Sequence, residues 1–186
     1  MARCYSDAMR KRQPSLPRLW LISDKRNDAA LEHALRRLPR GSGFIFRHYH
    51  LAPDRRRARF DALVRIARAR GHLVILSGKP QEALGWGADG AYGPPTRLAR
   101  GPATLRLVTA HSLREIRLAQ TARADAILLS PVFPTRSHPG GKALGPVRFH
   151  LLARHAQVPV IALGGMTAKR VKRLKSARWA AIDGLS

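Results

Sequence analysis

Eight short apolar runs, each followed by a polar loop and then an amphipathic stretch, set the strongest constraint on what this chain can fold into. They are LWLIS (19–23), FIFR (44–47), LVIL (73–76), GAYG (90–93), LRLVT (105–109), AILLS (126–130), VPVIAL (158–163) and WAAI (179–182). Most are continuously apolar, the pattern of strands covered on both faces. Between them lie helical stripes: Phe60, Leu63, Val64 and Ala67 form one, and Leu31, Leu35 and Leu38 another. Ser112 with Glu115 predicts a capping box. Thr167 predicts an N-cap for a helix over about 168–177. Pro80 and Pro146 fit first turns, where a missing N–H costs nothing.

Strands alternating with helices call for parallel pairing and an α/β fold. A doubly wound sheet meets that pattern too. The count of eight, and a Gly-Gly after the seventh run, favour a closed (β/α)8 TIM barrel. The stretch PPTRLARGPA after the fourth run predicts a single helical turn. The sequence ends at Ser186, directly after the eighth run, so the closing helix is expected to be short or absent. Residues 1–18 are expected to form a flexible basic tail and 19–186 a single domain.

With 186 residues and 45% hydrophobic residues, the chain can build one sizeable core. Cys4 is the only cysteine, which excludes an internal disulfide and fits a cytoplasmic location. The apolar runs are too short to span a bilayer, so no membrane partner is expected. The net charge of +24 attracts any polyanion. Its arginines are scattered over every helical stretch, and aromatics are only 6%, so they read as solvated helix faces and no specific nucleic acid is expected.

In a barrel of this kind the site lies where the strands end. After the seventh run, GGMTAKR places Gly164 and Gly165 before a capped helix start, a turn that suits a phosphate. After the sixth, SPVFPT offers a stiff rim with the Thr135 hydroxyl at the mouth, and Gly140, Gly141 and Gly145 permit a flap. The following GGK fails the spacing of a P-loop and has Ala143 where a hydroxyl is needed. After the fifth, Thr109 and His111 stand at the mouth, and a neutral imidazole there can move a proton or simply order the loop. After the second, Arg47 offers an anion contact. His48 and His50 could share a metal, but no third ligand is in sight. Asp89 and Asp125 fall at strand starts, on the wrong face. Asp183 follows the eighth run alone.

LWLISD, GADGAYG, TAHSLRE, SPVFPT, VPVIALGGMTAKRVKRL and AAIDGLS together resemble the thiamine phosphate synthase/TenI superfamily, from about Leu19 to Ser186. The resemblance implies a TIM barrel that binds a thiazole phosphate, with contacts at Arg47, Thr109, Thr135, His138, Gly164, Gly165 and Ser186. The synthases join that thiazole phosphate to a pyrimidine methyl diphosphate with magnesium assistance. Here the diphosphate half departs from the family pattern. Its Gln-x-Arg-x-Lys reads Ile45, Arg47, Tyr49. Its Asn-Asp reads Ser77, Gly78, and its Gln-Glu-Asp reads Pro94, Pro95, Thr96. The family lysine after the threonine loop aligns with His138. Both magnesium-binding acids are therefore missing, so no metal or cofactor is expected.

TenI-type proteins share the barrel without the synthase reaction, and some are thiazole tautomerases whose base matches His111. A TenI-like tautomerase with His111 as general base is therefore the leading expectation. The alternative is a divergent synthase, needing Mg2+, in which Arg47, Lys79, Arg97 and Arg136 stabilise the leaving diphosphate. A non-catalytic ligand- or polyanion-binding barrel is the third. Whether the chain forms a homo-oligomer is left open.

Overall fold

The computed structural model describes residues 16–136, 140–183 and 185. The strands are β1 (Leu19–Ile22), β2 (Gly43–Phe46), β3 (Leu73–Ser77), β4 (Gly90–Gly93), β5 (Leu105–Ala110), β6 (Ala126–Leu129), β7 (Val160–Ala162) and β8 (Trp179–Ala181). Each pairs in parallel with the next, and β8 pairs with β1, which closes the barrel. Each apolar run of the sequence holds one of these strands, with ends displaced by no more than two residues. The helices are α1 (Leu31–Arg37), entered through a 3-10 stretch at Lys25–Ala30, α2 (Pro53–Ala69), α3 (Pro80–Gly85), α4 (Pro95–Leu98), α5 (Leu113–Thr121), α6 (Gly145–Ala153) and α7 (Ala168–Leu174). Among the described residues no helix follows β8. No described helix is long and apolar enough to cross a membrane.

Period-two alternation divides the strand residues between two apolar layers. Trp20, Ile22, Ile45, Ile75, Leu107, Leu128 and Ile161 fill the barrel interior. Leu21, Phe44, Phe46, Val74, Leu76, Val108 and Ile127 face outward against Leu31, Leu35, Phe60 and Leu63 of the helices. The predicted stripes are therefore the buried ones, with Val64 only partly covered. Trp20 fills much of the barrel floor and donates its indole N–H to the Pro17 carbonyl, 2.9 Å away. Its ring leaves no space beside it: a Cβ on Gly43 would lie 2.0 Å from Trp20 Cε3. Glycine is the residue that lets β2 pass the indole.

Two sequence expectations change in detail. Leu16, Pro17 and Arg18, assigned to the tail, are held under the barrel. The Arg18 carbonyl accepts from Trp179 N–H at 2.9 Å, and Leu16 packs on the interior cluster. The remainder of that tail, residues 1–15, lies outside the described residues. Ser112 caps α5 as expected, accepting from Glu115 N–H at 3.3 Å. The Glu115 carboxylate, however, accepts from the backbone N–H of His111 instead of returning to Ser112. Thr167 caps α7, accepting from Arg170 N–H at 3.2 Å. Asp89 and Asp125 accept from Val74 N–H and Arg106 N–H at the strand starts, far from the mouth.

Candidate active site

The strand ends open onto a cavity of about 1040 Å3. Arg47, Thr109, His111, Thr135, Gly164 and Gly165 all line it, so six of the residues selected from the sequence converge on one space. His138 and Ser186 lie outside the described residues. Lys79, one of the cations expected to meet a diphosphate, is exposed and does not reach the cavity wall. The reason is local: it is the N-cap of α3, displaced from the mouth by the turn after β3.

The Gly-Gly turn is dictated by crowding. Gly164 has φ 94° and Gly165 φ 61°, both left-handed. A Cβ on Gly164 would lie 2.6 Å from Pro131 Cα, and one on Gly165 2.5 Å from the Pro134 carbonyl oxygen. The SPVFPT segment therefore presses directly on the turn. Val132 and Phe133 N–H groups donate to the Leu163 and Gly164 carbonyls at 2.9 and 3.1 Å. The stiff rim and the turn are one unit.

Arg170 joins that unit. It lines the cavity, donates to the Gly165 carbonyl at 2.5 Å, and lies 4.9 Å from the Phe133 ring centroid. The sequence reading passed over it, because one arginine among 35 basic residues carries no signal of its own. Its place three residues after the Thr167 cap was the available clue. With Arg47, Arg97, Arg136 and Lys142, the described wall holds five cations against one carboxylate, Asp183.

His111 is anchored through one nitrogen. Its Nδ1 lies 2.8 Å from the Ser130 carbonyl oxygen. A carbonyl only accepts, so Nδ1 carries the proton and Nε2 of the neutral ring carries a lone pair. That is the form a base requires.

Among the described residues the acids and histidines do not build a metal centre. No group of three His, Cys, Asp or Glu side chains converges among the described residues. Asp183 lies 3.4 Å from Arg26. At the end of β3 the Ser77 hydroxyl bonds to the Tyr49 hydroxyl and the Tyr92 carbonyl. Pro94 and Pro95 after β4 offer no side-chain donor. Magnesium asks for an octahedral oxygen set with carboxylates among its ligands, and these residues do not fit it. His48 and His50 come within 5.1 Å, but both ring nitrogens of His48 are engaged, with Ser23 and with Asp28.

Burial, opposed by the Asp28 hydrogen bond, holds His48 below its ordinary value. Burial does the same for His72, helped by nearby Arg70 and Arg40. Asp28 is raised by burial, but hydrogen bonds from His48 and Arg59 outweigh this and keep its carboxyl low. Burial pushes the Tyr92 phenol up to about 12, so it stays a neutral wall of the cavity. For the two histidines, the unfolded chain binds more protons than the folded one just below their ordinary pKa of 6.5. Their contribution is complete above that value and is lost as pH falls through it. Thermal melts at pH 8 and pH 5.5 are expected to show a lower Tm in acid, and His48→Asn with His72→Asn is expected to flatten the difference.

A family model described as thiamine monophosphate synthase matches residues 19–185. The chain belongs to this family. A thiamine-phosphate synthase of Chlorobium luteolum is 31% identical over 182 residues, covering 93% of this chain and 85% of that one. Another, of Geobacillus thermodenitrificans, is 28% identical over 200 residues, covering 100% of this chain and 87% of that one. Among solved structures, a thiamine phosphate pyrophosphorylase from Pyrococcus furiosus superposes with a TM-score of 0.73 at 23% identity, covering 89% and 85% of the two chains. That structural likeness shows the shared TIM barrel. Within the family's barrel, this chain surrounds its mouth with cations.

Proposed function

We propose that the chain is a transferase of the thiamine-phosphate synthase type, joining a thiazole phosphate to a pyrimidine methyl diphosphate. The synthase names of its relatives favour this reading over the tautomerase that the sequence put first. The observation that carries it is that the described wall of the cavity, of about 1040 Å3, holds five cations and one carboxylate. A tautomerase needs to hold one substrate, a carboxythiazole phosphate. Cations distributed over the segments that follow β2, β4, β6 and β7 suit two anionic substrates.

In this reading Gly164, Gly165 and Arg170 hold the thiazole phosphate, and Thr109 and Thr135 border the heterocycles. Arg47, Arg97, Arg136 and Lys142 face the diphosphate. As the carbon–oxygen bond of the pyrimidine methyl breaks, negative charge grows on the departing diphosphate. Cations placed around the mouth stabilise that developing charge. The thiazole nitrogen then closes the new carbon–nitrogen bond with its lone pair. No protein-held metal is part of this reading.

His111 favours a second reading. His111 lines the cavity, and the lone pair left at its Nε2 is what proton abstraction from a thiazole tautomer requires. A paired assay tests both. One arm supplies thiazole phosphate and pyrimidine methyl diphosphate and follows thiamine phosphate; the other supplies the tautomer alone and follows aromatisation. Thiamine phosphate formation is expected. Its absence at every magnesium concentration, with rapid aromatisation in the other arm, establishes the tautomerase instead.

A further inference from the structure

We propose that Ser23 and His48 are positioning residues that fix Arg47 in the anion site, as the inner links of a hydrogen-bonded relay starting at Asp28. The proposal rests on the reading of Arg47 as a diphosphate contact. The relay crosses from the helical layer to the mouth of the barrel. Asp28, before α1, is held by Arg59 of α2, whose Nε donates to its carboxylate at 2.9 Å. The same carboxylate oxygen lies 2.8 Å from His48 Nε2. His48 Nδ1 lies 2.8 Å from the Ser23 hydroxyl, and that oxygen accepts from Arg47 N–H at 2.8 Å.

The donor inventory gives the chain one direction. Asp28 only accepts, so His48 Nε2 carries the proton and Nδ1 is bare. Ser23 then donates its single hydrogen to Nδ1 and uses a lone pair for Arg47 N–H. Every donor in the relay finds an acceptor. Ser23 and the His48 side chain are both 0% exposed, so water does not compete. The His48 ring also lies parallel to Phe46 at 4.8 Å, with an interplanar angle of 3°. Burial favours the neutral ring, the state the relay needs.

The purpose of the relay lies at its end. Arg56 donates to the Arg47 carbonyl at 3.0 Å, so the Arg47 peptide groups are held on both sides, by Ser23 and by Arg56. This clamp sets the stem of a side chain that borders the cavity. The backbone of the next residue shows the constraint, since His48 has φ 43°, in the left-handed region. A Ser–His–Asp order also occurs in nucleophilic enzymes, but here the serine is sealed from the cavity and its oxygen accepts from Arg47 N–H.

The test is calorimetric titration of the full chain with inorganic pyrophosphate. Arg47→Ala and Ser23→Ala are each expected to weaken binding roughly tenfold. The double variant is expected to bind no more weakly than Arg47→Ala alone, because the relay acts only through that residue. His48→Asn places an amide oxygen near the Nδ1 position and tolerates a positive φ. It is expected to keep most of the affinity that His48→Leu loses. If His48→Leu does not fold, the Ser23–Arg47 cycle decides alone. Losses that add in full, or a Ser23→Ala protein that binds like wild type while Arg47→Ala does not, overturn the relay. Wild-type binding by Arg47→Ala overturns the relay together with the assignment of Arg47 to the anion site.

Discussion

Arg97→Ala is expected to lower kcat for thiamine phosphate formation by about 10²–10³-fold. Arg97 lies on α4, over the end of β4, with its Cδ 3.3 Å from where a Cβ on Gly93 would stand. It borders the cavity, and no carboxylate among the described residues forms an ion pair with it. The segment it follows, Pro94 to Thr96, is where the family resemblance places Gln-Glu-Asp, with two acids. The sign of charge at this rim is therefore reversed. A unit charge about 4 Å from a developing anion contributes about 4 kcal/mol at an effective dielectric of 20. That is enough for the expected loss. The remaining charge of this +24 chain cannot substitute for it, since exposed charges are screened beyond about 8 Å at physiological salt. Because the interaction strengthens as diphosphate departs, kcat and kcat/KM are expected to fall together. Arg97→Lys keeps the charge and loses the planar fork, and is expected to stay within about tenfold of wild type. Steady-state kinetics at saturating substrates checks this. Unchanged turnover in Arg97→Ala would return the residue to the solvated surface.

What the sequence made legible follows the range over which each signal acts. The strands were readable because a segment buried on both faces must be apolar along its whole length, as in LVIL at 73–76. Gly164 and Gly165 were readable because a turn pressed against Pro131 and Pro134 admits no side chain. His111 and Arg47 stood at strand ends, where a barrel collects its chemistry. The rest depended on contacts that sequence spacing does not encode. His48 and His50 could share a face, since neighbours two apart on a strand do, although no third metal ligand is in sight. The left-handed turn at His48 ends that alternation and sends its ring to Ser23 and Asp28, 25 and 20 residues away. Glu115 looked like the partner of Ser112, yet the His111 N–H takes its carboxylate. Arg170 and Lys142 were hidden by abundance: where 35 of 186 residues are basic, only three-dimensional placement distinguishes a ligand contact from a solvated charge.

His111→Ala separates the two enzymatic readings because only one of them moves a proton. Aromatising a thiazole tautomer requires a C–H proton to leave and a proton to be returned elsewhere. Loss of a positioned base then costs about 10²–10⁴-fold. Joining the two synthase substrates breaks a carbon–oxygen bond and forms a carbon–nitrogen bond through lone pairs, with no proton in the bond-making step. There the same substitution is expected to cost less than about tenfold. A truncated histidine also frees the Ser130 carbonyl and slackens the loop after β5, so alanine alone confuses chemistry with order. His111→Asn resolves this. Its amide N–H can replace the Nδ1 proton on the Ser130 carbonyl, while nothing replaces the lone pair at Nε2. A base makes alanine and asparagine equally inactive in the tautomer assay. A loop-ordering histidine leaves asparagine active and alanine impaired in the synthase assay. The synthase reading predicts the second pattern, and equal, near-complete loss of aromatisation in both variants would reverse the order of the two readings.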